Sequence, residues 1–83
     1  MLRLTLYTRP GCHLCDAMKS VVDAIARHEP VALRQIDITG NGALERRFGV
    51  EIPVLEHDGQ VLARGRTTRA ALLESLRNVR RGA

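Results

Sequence analysis

Tryptophan is absent from this chain, and Tyr7 and Phe48 are its only aromatic residues. Modules that read single-stranded nucleic acid stack bases on aromatic platforms, so the net charge of +4 does not by itself point to nucleic acid here. The arginines are scattered apart from Arg64, Arg66 and Arg69 and the tail Arg77, Arg80 and Arg81. No apolar run approaches the ~20 residues that a membrane span needs. The first residues alternate at once, without the charged-then-apolar pattern of a secretory leader. These absences predict no nucleic-acid partner, no membrane span and a reducing, cytoplasmic setting. Cysteine is scarce too: Cys12 and Cys15 are the only two. In a reducing compartment such a pair points to catalysis or metal binding before a structural bridge.

What is present is an ordinary globular composition, 45% hydrophobic and 27% charged, in 83 residues. That length predicts one domain, residues 1–83; a monomer is the expectation, though length does not dictate it. Leu, Val, Ile and Ala must fill its core. Leu2, Leu4 and Leu6 alternate with Arg3, Thr5 and Tyr7, so residues 2–8 predict a strand. Pro10-Gly11 stops it. A helix then starts at Cys12 or His13, with apolar positions at 14, 15, 18, 21, 22, 25 and 26, and Pro30 closes it. Residues 31–38 predict a second strand whose mixed faces suit a sheet edge. Asn41 is placed to cap a short helix over 43–48, with Gly49 in the left-handed position past its end. Residues 50–57 predict a strand interrupted by Pro53. Asp58-Gly59 signals a hairpin into a strand that ends near Gly65. Thr67 or Thr68 caps a last helix with its apolar stripe at Ala71, Leu72, Leu73, Leu76 and Val79. The order is β-α-β-α-β-β-α, an α/β fold with a four-stranded mixed sheet and three helices. Its first two strands are parallel and its last two antiparallel.

The two cysteines fall where the first strand gives way to the first helix. Helix-end N–H groups and the helix dipole stabilise a thiolate at that place, and a partner thiol one turn on can close a disulfide. Cys12 is therefore the expected nucleophile and Cys15 the expected resolving thiol, more buried than its partner. Arg9 and protonated His13 favour the Cys12 thiolate; Asp16 opposes it. The donors left for a metal are His13, His28 and His57. None forms the second pair that a four-ligand zinc site requires, so no metal is expected. His57, next to the Asp58-Gly59 turn, is expected to be exposed. The residues leave two other readings open: a redox-silent binding or adaptor module, and a metal-binding protein.

Tyr7-Thr8-Arg9-Pro10-Gly11-Cys12-His13-Leu14-Cys15 is similar to the Y-[ST]-K-P-x-C-x-x-C motif of glutaredoxins. The likeness continues through Asp37-Ile38-Thr39 and through Phe48 to Leu55, where it resembles Y-G-V-x-[TS]-[VI]-P-x-[VI]. The whole chain thus resembles the glutaredoxin branch of the thioredoxin superfamily. The resemblance implies the thioredoxin fold and a thiol–disulfide oxidoreductase serving disulfides in proteins or small molecules. It implies no resident cofactor, with glutathione as a co-substrate. It also implies a cis Ile52–Pro53 bond facing the Cys12 loop, with the Ile52 backbone free to pair with an extended substrate. Tyr7, Arg9, Ile52 and Pro53 become the substrate-binding residues. One segment departs from the pattern. The G-G-x-D turn of glutathione users is replaced by Ala63-Arg64-Gly65-Arg66-Thr67-Thr68, where Arg66 and the N–H groups at Thr67 and Thr68 are left to hold a carboxylate. The electron donor is accordingly glutathione or a thioredoxin reductase.

Overall fold

The structure, a computed structural model, describes residues 1–82. The leucines and the polar residues of β1 (Leu2–Thr8) project to opposite faces, as a period of two requires. Pro10 and Gly11 turn the chain into α1 (His13–Ala26). β2 (Val31–Asp37) returns parallel to β1, with Leu2 opposite Val31 and Thr8 opposite Asp37. α2 (Gly42–Phe48) follows, and β3 (Val54–His57) pairs antiparallel with β1. Asp58 and Gly59, with φ of 47° and 81°, form the tight turn into β4 (Gln60–Arg64). α3 (Arg69–Gly82) completes the order expected from the sequence. The sheet runs β2-β1-β3-β4, so β2 lies at an edge, as its mixed faces suggest.

Each face of the sheet gathers its own core. Leu4, Leu6 and Leu55 meet Met18, Val22 and Ile25 of α1 and Leu72 and Leu76 of α3. A fully buried leucine of this kind contributes about 1.5–3 kcal/mol relative to an exposed one. On the other face Tyr7, Ile38, Phe48 and Val54 form a smaller cluster under α2. The Tyr7 and Phe48 rings are stacked there with centroids 4.4 Å apart. The last turns of α3 are also fastened to the segment between α1 and β2, where an Arg80 Nη1–H donates to Glu29 Oε1 at 2.6 Å.

Four local expectations are corrected. Residues 50–53 are not strand, because the N–H groups of Glu51 and Ile52 both turn back to the Phe48 carbonyl; Val50 is fully exposed. Gly49 does not adopt the left-handed conformation; its φ is −52°. What requires glycine is space, since a Cβ there would collide with the Glu45 carbonyl oxygen. Ala26 and Ala71 are exposed rather than part of the apolar stripes. His57 is largely covered, with 17% of its side chain exposed: Nδ1 lies 3.1 Å from the Arg3 carbonyl oxygen and Nε2 lies 3.5 Å from Asp58 Oδ2.

Candidate active site

The site begins at the turn that ends β1. Gly11 has φ +76°, a conformation that side chains disfavour, and it lets Cys12 enter an extended conformation at the cap of α1. Helix caps are usually oxygen acceptors. Here the acceptor is sulfur: the Cys15 N–H donates to Cys12 Sγ at 3.0 Å. The Cys12 carbonyl meanwhile accepts from the Asp16 N–H at 3.1 Å, the first bond of the helix. The two sulfurs are joined in a disulfide, with the Cα atoms 5.2 Å apart. Their surroundings differ. Cys12 is half-buried, while Cys15 is 2% exposed and belongs to the core.

The neighbouring charges are arranged less simply than the sequence implies. His13 is exposed at the start of α1, and Asp16 is exposed in the same turn. Arg9 is half-exposed, and its Nη2 lies 3.9 Å from Glu45 Oε1. Its charge also acts on Asp37. That carboxyl is held below its ordinary range chiefly by hydrogen bonding to Thr39, whose N–H donates at 2.8 Å, with Arg9 assisting. Arg9 therefore faces two carboxylates of its own chain. Nothing in the local sequence pattern reveals that α2 brings Glu45 to Arg9.

Tyr7 is placed in the core rather than on an open surface. It is 8% exposed, and its hydroxyl donates to Glu56 Oε1 at 3.2 Å. Burial raises its pKa, and the charge and hydrogen bond of Glu56 raise it further. Arg47 completes the group, with its guanidinium 4.7 Å from the Phe48 ring centre and Nη2 3.8 Å from Glu56 Oε2. Glu56 is a second residue that sequence reasoning missed. Its approach to Tyr7 depends on the β1–β3 register, in which Thr5 lies opposite Glu56 and Tyr7 opposite Val54.

The Ile52–Pro53 bond is cis. Ile52 is half-buried and Pro53 fully buried. The Ile52 backbone is not wholly free, because its N–H donates to the Phe48 carbonyl at 3.1 Å. Among the described residues its carbonyl has no backbone partner. The Pro53 carbonyl accepts from the Gly65 N–H at 2.9 Å and so ties this loop to the segment before α3. There Arg66 is exposed and Thr67 half-buried. Thr68, not Thr67, caps α3: its Oγ1 accepts from the Ala71 N–H at 3.1 Å. Residues 65–68 face Leu14, Ala17 and Val21 of α1 across a groove of about 330 Å³. Arg66 and Thr67 thus share a groove with Leu14, the residue before Cys15, while neither cysteine lines it; Pro53 is linked to the same segment through Gly65. A larger hollow of about 480 Å³ lies on the sheet by Arg3, Thr5, Arg34 and Glu56 and includes neither cysteine.

Among the described residues no group of three or more His, Cys, Asp or Glu side chains is placed to hold a metal ion. No helix among them is long and apolar enough to cross a membrane.

Comparison with known proteins places this geometry. Residues 3–77 match the family model described as a glutaredoxin-like domain (DUF836). The chain is 29% identical over 79 residues to a thioredoxin of Methanocaldococcus jannaschii, an alignment covering 92% of this chain and 93% of that one. The X-ray structure of protein XcR50 from X. campestris superposes with a TM-score of 0.79 and 33% identity, over 90% of this chain and 96% of the other. Thioredoxin 1 of Thermosipho africanus, at 14% identity, has a TM-score of 0.66 over 96% of both chains, a likeness of fold alone. The fold is the thioredoxin fold. Together with the bonded C-x-x-C pair, these similarities support a thiol–disulfide redox role.

Proposed function

The chain belongs to the glutaredoxin-like domain family (DUF836), and from that footing we propose that it is a dithiol oxidoreductase that reduces or exchanges disulfides in proteins and small molecules. The observation that carries this reading is the inequality of the two cysteines. Cys12 is half-buried at a helix cap with an N–H aimed at its sulfur, while Cys15 is buried one turn behind. A thiolate at Cys12 is stabilised by that N–H and by the helix dipole, whereas Cys15 has little access to a substrate.

In the reduced protein the Cys12 thiolate attacks one sulfur of a substrate disulfide. A mixed disulfide forms, and the other substrate sulfur leaves as a thiolate. Cys15, deprotonated, then attacks the Cys12 sulfur. This closes the Cys12–Cys15 disulfide and releases the second substrate thiolate. Two electrons pass from the protein to the substrate, and the oxidised protein is the form in this structure. His13 adds positive charge beside the cap only when protonated, and the Arg9 charge is shared with Glu45 and Asp37. The Ile52 carbonyl offers an acceptor to an extended substrate, with Pro53 and Thr67 beside it, while Tyr7 supports this region from the core. Arg66 is placed to meet a substrate carboxylate. Electrons return from glutathione or from a thioredoxin reductase in a reducing compartment such as the cytoplasm. The protein acts as a monomer without a bound cofactor, as a carrier in electron transport between thiols.

The test uses a small disulfide and a protein disulfide. Cys12→Ser abolishes reduction of both, and Cys15→Ser accumulates a mixed disulfide visible by mass spectrometry. Full activity in Cys12→Ser overturns the reading. Parallel assays with glutathione plus its reductase, and with thioredoxin reductase, identify the donor.

A further inference from the structure

α1 carries two apolar stripes where a surface helix ordinarily has one. Cys15, Met18, Val22 and Ile25 form the buried stripe. Beside it Leu14, Ala17, Val21 and Ala24 recur at steps of three, four and three residues, and none of them is fully buried. This second stripe floors two successive grooves. The first is the space of about 330 Å³ facing residues 65–68. The second, about 240 Å³, lies between Ala24 and Ile25 on one side and Arg69, Leu73 and Arg77 of α3 on the other. At ~1.5 Å per residue the stripe from Leu14 to Ala24 is roughly 15 Å long. It starts inside the C-x-x-C motif, because Leu14 lies between the two cysteines.

The rim is basic. Arg66 and Arg69 are exposed and have no carboxylate within ion-pair distance among the described residues. The carboxylates close to this rim are already engaged: Glu29 is held by Arg80 at 2.6 Å, and Glu74 lies 3.6 Å from Arg77 and 3.9 Å from Arg81. A second copy of this chain would bring the same arginines against these, so a homodimer through this face is opposed by its own charge.

We propose that the groove along α1 docks an acidic, amphipathic segment of the protein whose disulfide reaches Cys12. Apolar residues of that segment cover Leu14, Val21 and Leu73, and its carboxylates meet Arg66 and Arg69. The identity of the occupant as a redox partner rests on the proposed disulfide exchange; the docking itself rests on the groove and its rim.

The experiment keeps the two apart. Peptides of about sixteen residues carry the same apolar positions, one cysteine capped as a mixed disulfide with 5-thio-2-nitrobenzoate, and flanking Glu, Gln or Lys. The reduced full-length protein releases the chromophore at a second-order rate measured by stopped flow. The Glu peptide is expected to react about tenfold faster than the Lys peptide at low salt, with the ratio shrinking in about 0.5 M NaCl. In Arg66→Glu/Arg69→Glu the Glu-to-Lys ratio falls to one or inverts. Equal rates for the three peptides overturn the proposal, as does a ratio unmoved by the double variant. A cysteine-free Glu peptide supplies a readout independent of redox chemistry: its amide-shift changes should fall on residues 14–24 and 66–77. Changes confined elsewhere overturn the docking site. A wild-type protein that reduces no small disulfide but still shows these shifts would remove the redox reading and leave the docking surface.

Discussion

The backbone N–H of Cys15 points at the sulfur of Cys12 from 3.0 Å, where a helix cap usually presents an oxygen. The chain has therefore spent the strongest capping position of α1 on its proposed nucleophile. Sulfur is a weak acceptor as a thiol and a far better one as a thiolate, so the cap bond strengthens on ionisation.

In the reduced protein, iodoacetamide should modify Cys12 before Cys15, with a pH midpoint below the about 8.5 of a free thiol. Mass spectrometry of the alkylated peptides gives the order, and rates across pH give the midpoint. Equal labelling of the two cysteines, or a midpoint at 8.5 or higher, would contradict the role assigned to the cap.

Tyr7 is the single tyrosine, so its ionisation is read directly from absorbance near 295 nm. Its midpoint should lie above its ordinary 10.0, because burial and then Glu56 both favour the neutral phenol. Glu56→Gln should lower the midpoint without restoring 10.0, since burial remains. The folded protein holds this proton more tightly than the unfolded chain. Its contribution to stability is therefore complete below about pH 10 and is lost as pH rises through the folded midpoint. Chemical denaturation at pH 8 and pH 11 compares the two states.

Gly49→Ala and Gly49→Asn should both destabilise the protein by about 1–3 kcal/mol in urea unfolding, the range for forcing atoms into filled space. Asparagine is the informative substitution. It tolerates the left-handed conformation and would be nearly neutral if Gly49 ended α2 that way. Its φ of −52° and the Glu45 carbonyl oxygen close to where a Cβ would stand predict that asparagine fares no better than alanine.

Thr68→Ala should cost about 0.5–2 kcal/mol through loss of the α3 cap, whereas Thr67→Ala should stay within ~0.5 kcal/mol. Thermal or urea unfolding of the two single variants separates them. A larger loss at Thr67 would move the cap.

The element order was readable because each helix and strand carries its own periodicity and its own stop. Leu2, Leu4 and Leu6 alternate, Pro10-Gly11 breaks, and Asp58-Gly59 turns. The edge place of β2 was also legible, from Arg34 and Gln35 lying on opposite faces. Cys12 and Cys15 stood out because their spacing is local. Contacts made by distant segments were not legible. Glu45 beside Arg9 and Glu56 under the Tyr7 hydroxyl both depend on how α2 and β3 dock. Gly49 misled for a related reason: glycine after a helix ordinarily signals a left-handed turn, and here it answers a close backbone approach. His57 was expected at the surface because its neighbours form a turn, yet the register carries it to the Arg3 carbonyl.

The sheet order β2-β1-β3-β4 places the first strand of the chain in the interior. β1 is made before β3, so the side of β1 that meets β3 stays open until residues 54–57 have been made. The core that holds α1 against the sheet likewise includes Leu55, Leu72 and Leu76, which lie far along the chain from Cys12 and Cys15. The strand that leads into the C-x-x-C motif is therefore completed by non-local pairing, the kind that forms slowly in folding.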